Sequence, residues 1–300
     1  MNRSAIGIDV GGTKTAVALV SPDGELHELQ RIRNRDAPGA RPLLAAIAER
    51  SRSLRRHGPV TIGVALPEVL DLTGELRSHN SLPWTRDEII DVLSPIGEVR
   101  LEADVRAAAL AEARIGAGRD LASVAYVSVG TGISAALVLN GTPHAGAHGA
   151  AQLLGSAELP IDCPHCGRSF RAPALEDVAG GPALVERYNA AADATLASGE
   201  ELLERAGSGD AIAERIVRRG AEQLGGYLAL FVNLVDPEIV VVGGGLGSAP
   251  GLRWPTVVAA AREHIWAVHV RDVPIVQADL GEHAGVIGAG LLALDAAAHR

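Results

Sequence analysis

The sequence predicts an α/β protein made of two similar halves, and three observations carry this prediction. First, β-like apolar runs alternate with helix-like segments along the 300 residues. Second, one glycine-bearing hairpin pattern occurs twice, as GTKTAVALV at residues 12–20 and as GTGISAALV at residues 130–138. Third, 47% of the residues are hydrophobic and 21% are charged, which is an ordinary globular balance.

The first half is predicted to run β-β-α-β-α-β-α. The runs AIGIDV and TAVALV are strands on either side of a glycine turn. The segment APGARPLLAAIAERSRSLRRHG is a helix, because it ends in basic residues and glycine, as helices often do. The strand VTIGVALPE, the short helix RDEIIDVLSPIG, the strand EVRLEAD and the alanine-rich helix VRAAALAEARIGAG follow.

The second half begins again with a hairpin, SVAYVSVGTGISAALVLNGTP. Helices are predicted at about 174–206 and 209–234, followed by the buried strand EIVVV, a further helix, a strand near VPIVQADL and a last helix from Ala284. Chance similarity between two Ala/Val-rich strands would explain the repeated hairpin, but the repeated order of elements favours duplication. We therefore expect two halves facing each other across a cleft, with the boundary near Gly116–Leu121.

Charge and composition exclude several classes of protein. A formal net charge of -9 disfavours sequence-independent binding to nucleic acid, which needs a basic face. No segment reaches the roughly 18 apolar residues of a membrane span, and the N-terminus lacks the features of a secretory signal. The 2 cysteines do not make a disulfide framework. The sequence thus predicts a cytoplasmic protein that binds neither nucleic acid nor membrane.

Three glycine clusters predict a nucleotide site. The turn at residues 11–14 is neither a Walker loop nor a dinucleotide fingerprint, because each of those opens a helix and a strand follows here. Glycines in a hairpin can still bring backbone N–H groups close to phosphate, although a tight hairpin without a ligand is the alternative. The turn at 130–132 and the cluster at 243–245 favour the ligand: two hairpins for the phosphates and a narrow surface for the base.

Six segments resemble one known family. They are IGIDVGGTKTAVALV, EADVRAAALAE, VSVGTGISAALVLNG, HGAAQLLG, CPHCG followed by LEDVAGGPAL, and IVVVGGGLG. Together they are similar, over nearly the whole chain, to the ROK family of sugar kinases and repressors within the actin-like ATPase superfamily. The resemblance implies two actin-like (ribonuclease H-like) α/β domains flanking a nucleotide cleft. It places the first domain at 1–117, rejoined by the helix 284–300, and the second at 118–283, and it suggests a homodimer.

The resemblance also implies a reaction, the ATP- and magnesium-dependent phosphorylation of a sugar hydroxyl, usually the 6-OH of a hexose. Asp104 occupies the place of the catalytic base, although a helix N-cap is the alternative for an aspartate before an alanine-rich helix. Lys14 is the only lysine of the chain and is expected to contact phosphate or an acidic neighbour, or else solvent. The predicted ATP-binding residues are Asp9 (a candidate for magnesium), Gly11, Gly12, Thr13, Lys14, Gly130, Thr131, Gly132, Gly243, Gly244 and Gly245.

The sugar side departs from the family pattern. Ala103 stands where the family usually has asparagine, and Leu153 and Ser156 replace a glutamate and a histidine that hold sugar hydroxyls. A hydroxyl left unpaired by such changes would be costly, so the substrate differs from glucose or is held differently. Glucose, glucosamine and kanosamine are candidates, with an aminocyclitol as the alternative. The predicted substrate-binding residues are Glu68, Asn80, Asp104 and Glu176.

Two features leave alternatives open. Glu68 stands in the loop that usually reads PGP, and it could pair with an amino group of the substrate or be a solvated loop acid. Cys163 and Cys166 form half of a zinc site, because zinc takes four ligands and the third cysteine of the family is absent. The remaining ligands could come from histidines, namely His144, His148 and His165, or the loop could be vestigial with two free thiols.

Two other functions compete with a kinase. A repressor of the same family would carry a helix-turn-helix domain ahead of the first hairpin, and only a few residues precede that hairpin here. A pseudo-kinase that binds nucleotide and serves as a sensor would explain the altered sugar positions. The retained Asp104 favours the kinase over the pseudo-kinase, and the acidic net charge disfavours the repressor.

Overall fold

The computed structural model describes residues 4–37, 39–55, 60–162, 164–249 and 253–298. The strands are β1 (Ala5–Val10), β2 (Lys14–Val20), β3 (Leu26–Arg33), β4 (Thr61–Leu66), β5 (Glu98–Ala103), β6 (Ser123–Val129), β7 (Ile133–Leu139), β8 (Thr142–Pro143), β9 (Leu159–Asp162), β10 (Ser169–Ala172), β11 (Ile239–Gly243) and β12 (Ile275–Gln277). The α-helices are α1 (Ala40–Leu54), α2 (Arg86–Leu93), α3 (Asp104–Ile115), α4 (Glu176–Ala179), α5 (Gly181–Ala192), α6 (Gly199–Gly207), α7 (Ala211–Val235), α8 (Arg253–His264) and α9 (Ala284–Ala298). These elements confirm the predicted α/β class.

The chain divides into two compact units. The first consists of residues 1–120, 136–151 and 282–300, and the second of residues 121–135 and 152–281. The sequence prediction places all of 118–283 in the second domain, whereas residues 136–151 here belong to the first unit. Strand β7 therefore begins in the second unit and ends in the first.

The first unit is built on a mixed sheet with strand order β3-β2-β1-β4-β5. β1 pairs antiparallel with β2 and parallel with β4, and β4 pairs parallel with β5. The carboxyl ends of β1, β4 and β5 therefore lie at the same edge of the sheet. Those ends carry Asp9, the loop that contains Glu68, and Asp104.

The two faces of this sheet are packed differently. One face carries a large aliphatic cluster that includes Ile6, Ile8 and Leu66, none of which exposes measurable surface. On the other face small residues let α3 and α9 approach closely. A Cβ added to Gly63 would lie 1.8 Å from the carbonyl oxygen of Ala289, so that contact requires glycine. Small residues thus do part of the packing that aromatics do elsewhere, and aromatics are 3% of this chain.

The second unit contains most of a sheet with strand order β12-β11-β6-β7-β8, in which β11 pairs parallel with both β6 and β12. The longest helix, α7, begins after Asp210, whose carboxylate accepts hydrogen bonds from the N–H groups of Ile212 and Ala213. β9 and β10 form a separate antiparallel pair. Within the described ranges, no helix combines the length and the apolar character needed to cross a membrane.

The structure corrects two predictions. The helix expected at about 174–206 is three helices, α4, α5 and α6. Gly180 has an extended backbone that ends α4, Pro182 then starts α5, and Asp193 ends α5 in the left-handed conformation. The polar strand β3 was not predicted, because it is an edge strand whose side chains are mostly exposed or half-buried and show no apolar alternation.

Candidate active site

The first glycine turn joins β1 to β2 and is open to solvent. The Gly11 N–H donates to the Lys14 carbonyl oxygen at 3.0 Å. A Cβ added to Gly12 would meet no atom of the described residues within 4 Å, so none of them fills the space above that residue. The Asn34 side-chain amide donates to the carbonyl oxygens of Gly11 and Gly12 at 2.8 Å and 3.2 Å. Asn34 therefore fixes the turn, and no motif in the sequence identified it.

The lone lysine contacts an acidic neighbour. Lys14 forms an ion pair with Glu282, which also accepts a hydrogen bond of 2.9 Å from Arg31. The hydrogen bond from Lys14 is the main reason why the pKa of Glu282 is lowered. Acidic contact was one of the predicted roles of Lys14, and contact with phosphate stays a prediction.

Asp9 is a half-buried carboxylate beside the same turn. Its pKa is raised to about 7, mainly by burial and in addition by the negative charge of Asp104, while Lys14 opposes the shift. A Cβ added to Gly285, in the first turn of α9, would lie 2.6 Å from Asp9 Oδ2. Gly285 thus allows α9 to approach Asp9. The sequence predicted the final helix but not this role of Gly285.

Asp104 is the first residue of α3 and is half-buried. The N-cap residue is Ala103, and it makes no side-chain capping bond, so the reading of Asp104 as an N-cap is wrong. Its Oδ1 accepts a hydrogen bond of 2.6 Å from the adjacent Val105 N–H. The pKa of Asp104 is raised to about 6, mainly by burial; the hydrogen bond from Val105 opposes this shift, and the charge of Glu68 adds to it. A carboxylate with a pKa near the working pH suits general base catalysis.

Glu68 is not a solvated acid, because only 6% of its surface is exposed. Its carboxylate accepts hydrogen bonds from the backbone of Asn80, Ser81 and Leu82 and from the Ser78 hydroxyl. The Asn80 residue itself is exposed. The structure thus places both predicted residues in one loop of the first unit. Direct contact of either with a substrate stays a prediction.

The second glycine turn is also closed by a backbone hydrogen bond, but a shorter one in sequence than that of the first turn. The Gly130 N–H donates to the Gly132 carbonyl oxygen at 3.0 Å, and a Cβ added to Gly130 would meet no atom within 4 Å. Thr131 and Gly132 are exposed. The Gly130 carbonyl oxygen accepts a hydrogen bond of 2.9 Å from Gly181, the first residue of α5. This turn is therefore fixed by backbone contacts.

The third glycine cluster packs against the second turn. Gly244 has a φ of 81°, and a Cβ on it would lie 2.5 Å from the Val129 carbonyl oxygen, so only glycine fits there. The same carbonyl oxygen accepts hydrogen bonds of 3.0 Å from the N–H groups of Leu246 and Gly247. Two of the three predicted nucleotide segments, 130–132 and 243–245, are thus neighbours in the second unit.

Glu176 also lies beside the second turn. A Cβ added to Gly132 would be 3.3 Å from Glu176 Oε2, and the Ser156 hydroxyl donates to Glu176 Oε1 at 3.3 Å. Leu153 is 49% exposed. Of the two residues that replace family sugar ligands, one therefore contacts a retained acid.

The predicted zinc ligands are only partly visible. Cys166 is free and exposed, and Cys163 lies outside the described residues. Among the residues that the structure describes, no group of three or more His, Cys, Asp or Glu side chains is arranged for a metal ion. Zinc binding stays a prediction.

The similarity to known proteins extends over nearly the whole chain and is not confined to one motif. The profile of the ROK family matches residues 5–296. A glucokinase of Thermotoga maritima is 29% identical over 95% of each chain, and an N-acetylmannosamine kinase of Shigella boydii serotype 18 is 28% identical over 97% of this chain and 98% of that protein. A crystal structure of a ROK family glucokinase from Streptomyces griseus in complex with glucose and AMPPNP is 25% identical, with a TM-score of 0.82 over 97% of this chain and 99% of that one. These matches confirm the predicted resemblance and fold class.

Proposed function

This chain belongs to the ROK family and is an ATP-dependent sugar kinase, and we propose that it phosphorylates the 6-OH of a hexose or aminohexose with Asp104 as the general base. The observation that carries this proposal is the position, burial and raised pKa of Asp104. It is a half-buried carboxylate at the carboxyl end of β5 whose pKa is raised to about 6. It belongs to the same unit as Asp9 and the first glycine turn.

The proposed mechanism assigns a task to each group. Asp104 orients the attacking sugar hydroxyl and accepts its proton as the oxygen bonds to the γ-phosphorus of ATP and the bond to the β-phosphate oxygen breaks. Backbone N–H groups of the glycine turns at 11–13 and 130–132 bind phosphate oxygens. The third cluster, 243–245, binds the adenosine.

The donor set near the first turn fits a magnesium ion. Asp9 offers a carboxylate whose pKa is raised by burial and by the nearby charge of Asp104, so an additional positive charge beside it would be stabilising. Carboxylate oxygens are what Mg²⁺ prefers in proteins. Asp9 would hold the ion, directly or through its water, and the ion would neutralise charge on the transferred phosphoryl group.

The choice of sugar depends on the residues that differ from the family pattern on the sugar side. Ala103 and Leu153 offer no polar group where the family pattern has an amide and a carboxylate, so fewer hydroxyls are paired by side chains. The relatives' own names range from glucose to an N-acylated aminohexose, so the substituent on the carbon next to the anomeric carbon differs between these relatives. Glu176, held by Ser156, is the retained acid for a hydroxyl or an amino group.

A substrate panel tests the proposal. Hexoses, aminohexoses and aminocyclitols are assayed for sugar-dependent ADP release, with 6-deoxyglucose as the matched control for glucose. We expect at least one hexose or aminohexose to react and its 6-deoxy form to be inert. Reaction of cyclitols alone would move the proposal to an aminocyclitol kinase. A flat panel together with measurable ATP binding would favour a pseudo-kinase.

A further inference from the structure

We infer that Glu68 is a positioning residue, which holds the loop 78–82, and with it Asn80, in a fixed place in the first unit. This inference rests on the proposed function, because Asn80 is the predicted substrate residue of that loop. It replaces the expectation that Glu68 pairs with an amino group of the substrate.

The hydrogen bonds of Glu68 all lead to this loop. Oε1 accepts from the N–H groups of Ser81 at 2.6 Å and Leu82 at 2.8 Å. Oε2 accepts from the Asn80 N–H at 3.1 Å and from the Ser78 hydroxyl. An ionised carboxylate has about four acceptor sites, and these four donors occupy them. Little capacity remains for a direct bond to a substrate.

The charge of Glu68 makes these bonds strong. Burial alone would raise the pKa of this carboxyl, but the hydrogen bonds from Ser78, Ser81, Leu82 and Asn80 outweigh burial and lower it. The side chain is therefore ionised at neutral pH while 6% exposed. Hydrogen bonds to a charged acceptor are roughly twice as strong as neutral ones, so a buried glutamate holds three backbone amides better than a neutral residue would.

A buried arginine connects the backbone next to Glu68 to α3, the helix that carries Asp104. Arg106 is 7% exposed, and its guanidinium donates to the carbonyl oxygens of Leu70 at 3.1 Å and Gly149 at 2.7 Å. It also pairs with Glu102, on β5, at 2.5 Å. Leu70 follows Glu68 by two residues, and Asp104 precedes Arg106 by two. The backbone around Glu68 is thus anchored to α3, and Glu68 in turn anchors Asn80.

Glu68 departs from the usual family pattern at its position. It stands in the loop that usually reads PGP in the family pattern, so the bracing glutamate accompanies the loss of polar side chains at Ala103 and Leu153. Where fewer side chains orient the sugar, the remaining contacts must be better fixed, because pre-organised groups lose less freedom on binding. Glu68 supplies that fixation without touching the substrate.

Hydrogen exchange and kinetics of one variant test the inference together. Glu68→Gln keeps the size of the buried side chain but turns one acceptor oxygen into a donor that faces backbone N–H groups. We expect the amides of Asn80, Ser81 and Leu82 to exchange about tenfold faster or more, since hydrogen bonds to a charged acceptor are stronger than neutral ones. With the substrate found in the panel, kcat/KM for the sugar should fall about tenfold or more, while KM for ATP stays within about twofold.

Two further variants calibrate the result. Ser78→Ala removes one of the four hydrogen bonds and keeps the charge, so it should give a smaller effect of the same kind. Arg77→Gln is the matched control, because Arg77 directly precedes the loop 78–82 but pairs with Asp71, and its side chain is 62% exposed. It should leave both the exchange of residues 80–82 and the sugar kinetics unchanged.

The outcomes separate this inference from the proposed function. Unchanged exchange in Glu68→Gln overturns the inference, and so does faster exchange with unchanged sugar kinetics. An equal loss for sugar and ATP would indicate a general structural defect and would also overturn it. If the wild-type protein phosphorylates no sugar, the proposed function fails, and the exchange experiment still decides whether Glu68 holds the loop.

Discussion

The two glycine hairpins are both closed by a backbone hydrogen bond but differ in the residues around them. In each, the first glycine of the turn donates to a carbonyl oxygen across the turn at 3.0 Å, and one glycine of the turn faces open space. Around the first turn lie charged side chains: Asp9, Lys14 and Glu282. Around the second turn lie the backbone of α5 and the third glycine cluster, with Glu176 at its side.

This difference favours different roles for the two units. The similar sequences GTKTAVALV and GTGISAALV both form a turn followed by a strand, because turn formation depends on the local sequence. The carboxylates with raised pKa values, Asp9 and Asp104, both belong to the first unit. Under the proposed function, the first unit would supply the acid–base groups and the second the glycine clusters 130–132 and 243–245.

The largest expected effect is that of Asp104→Asn. Removing the general base should lower sugar-dependent ADP release by about 10²–10⁴-fold, because proton transfer to a positioned base contributes that much. ATP binding, measured with a non-hydrolysable analogue, should stay near the wild-type value. Equal turnover by the variant would remove Asp104 from the mechanism and leave the first unit without its assigned chemistry.

The pH dependence of the rate should come from the same residue. The pKa of Asp104 is raised to about 6, so the base is protonated and inactive below that pH and ionised above it. We expect kcat/KM for the sugar to fall about tenfold from its plateau by pH 5. The measurement is a rate profile between pH 5 and 8. A profile that stays flat down to pH 5 would contradict the assignment.

The glycine turns provide a smaller and more symmetric test. Gly12→Ala and Gly130→Ala introduce a methyl group that meets no protein atom, so the melting temperature should hardly change. If backbone N–H groups of both turns bind phosphate, each variant should raise KM for ATP about tenfold, since the methyl group hinders close approach.

Gly244→Ala is the contrasting control for this pair. Its Cβ would clash with Val129 at a φ of 81°, so this variant should lose stability as well as ATP affinity. A rise in KM for Gly12→Ala without one for Gly130→Ala would show that only the first hairpin binds phosphate.

The smallest expected effect concerns the lone lysine. The ion pair of Lys14 with Glu282 is about half exposed on both sides, so Lys14→Met should change the free energy of unfolding by about 1 kcal/mol or less. Thermal or chemical unfolding measures this change. A clear rise in KM for ATP in the same variant would indicate that Lys14 also contacts phosphate.

Most of the fold could be predicted from the sequence. Strands β1, β2, β4, β5, β6, β7 and β11 and helices α1, α2, α3, α7 and α9 were expected close to where they lie. The errors were local in origin: the glycine-glycine-proline run at 180–182 divides a helix that polar and apolar periodicity alone would continue. The candidate site was predicted less completely. Asn34 and Gly285 lie in none of the quoted segments, and Arg106 lies in one without being singled out, because the roles of all three depend on partners elsewhere in the chain.

The sequence by itself determined the glycine turns, the strands that flank them and the place of Asp104, because these depend on backbone freedom and short-range apolar patterns. Only the tertiary structure decided what each charged side chain does. Lys14 pairs with a glutamate 268 residues away, and Glu68, which reads as a loop acid, is buried under four hydrogen bonds. The physical reason is that the role of a charge depends on its burial and its partners, and both arise only when distant segments come together.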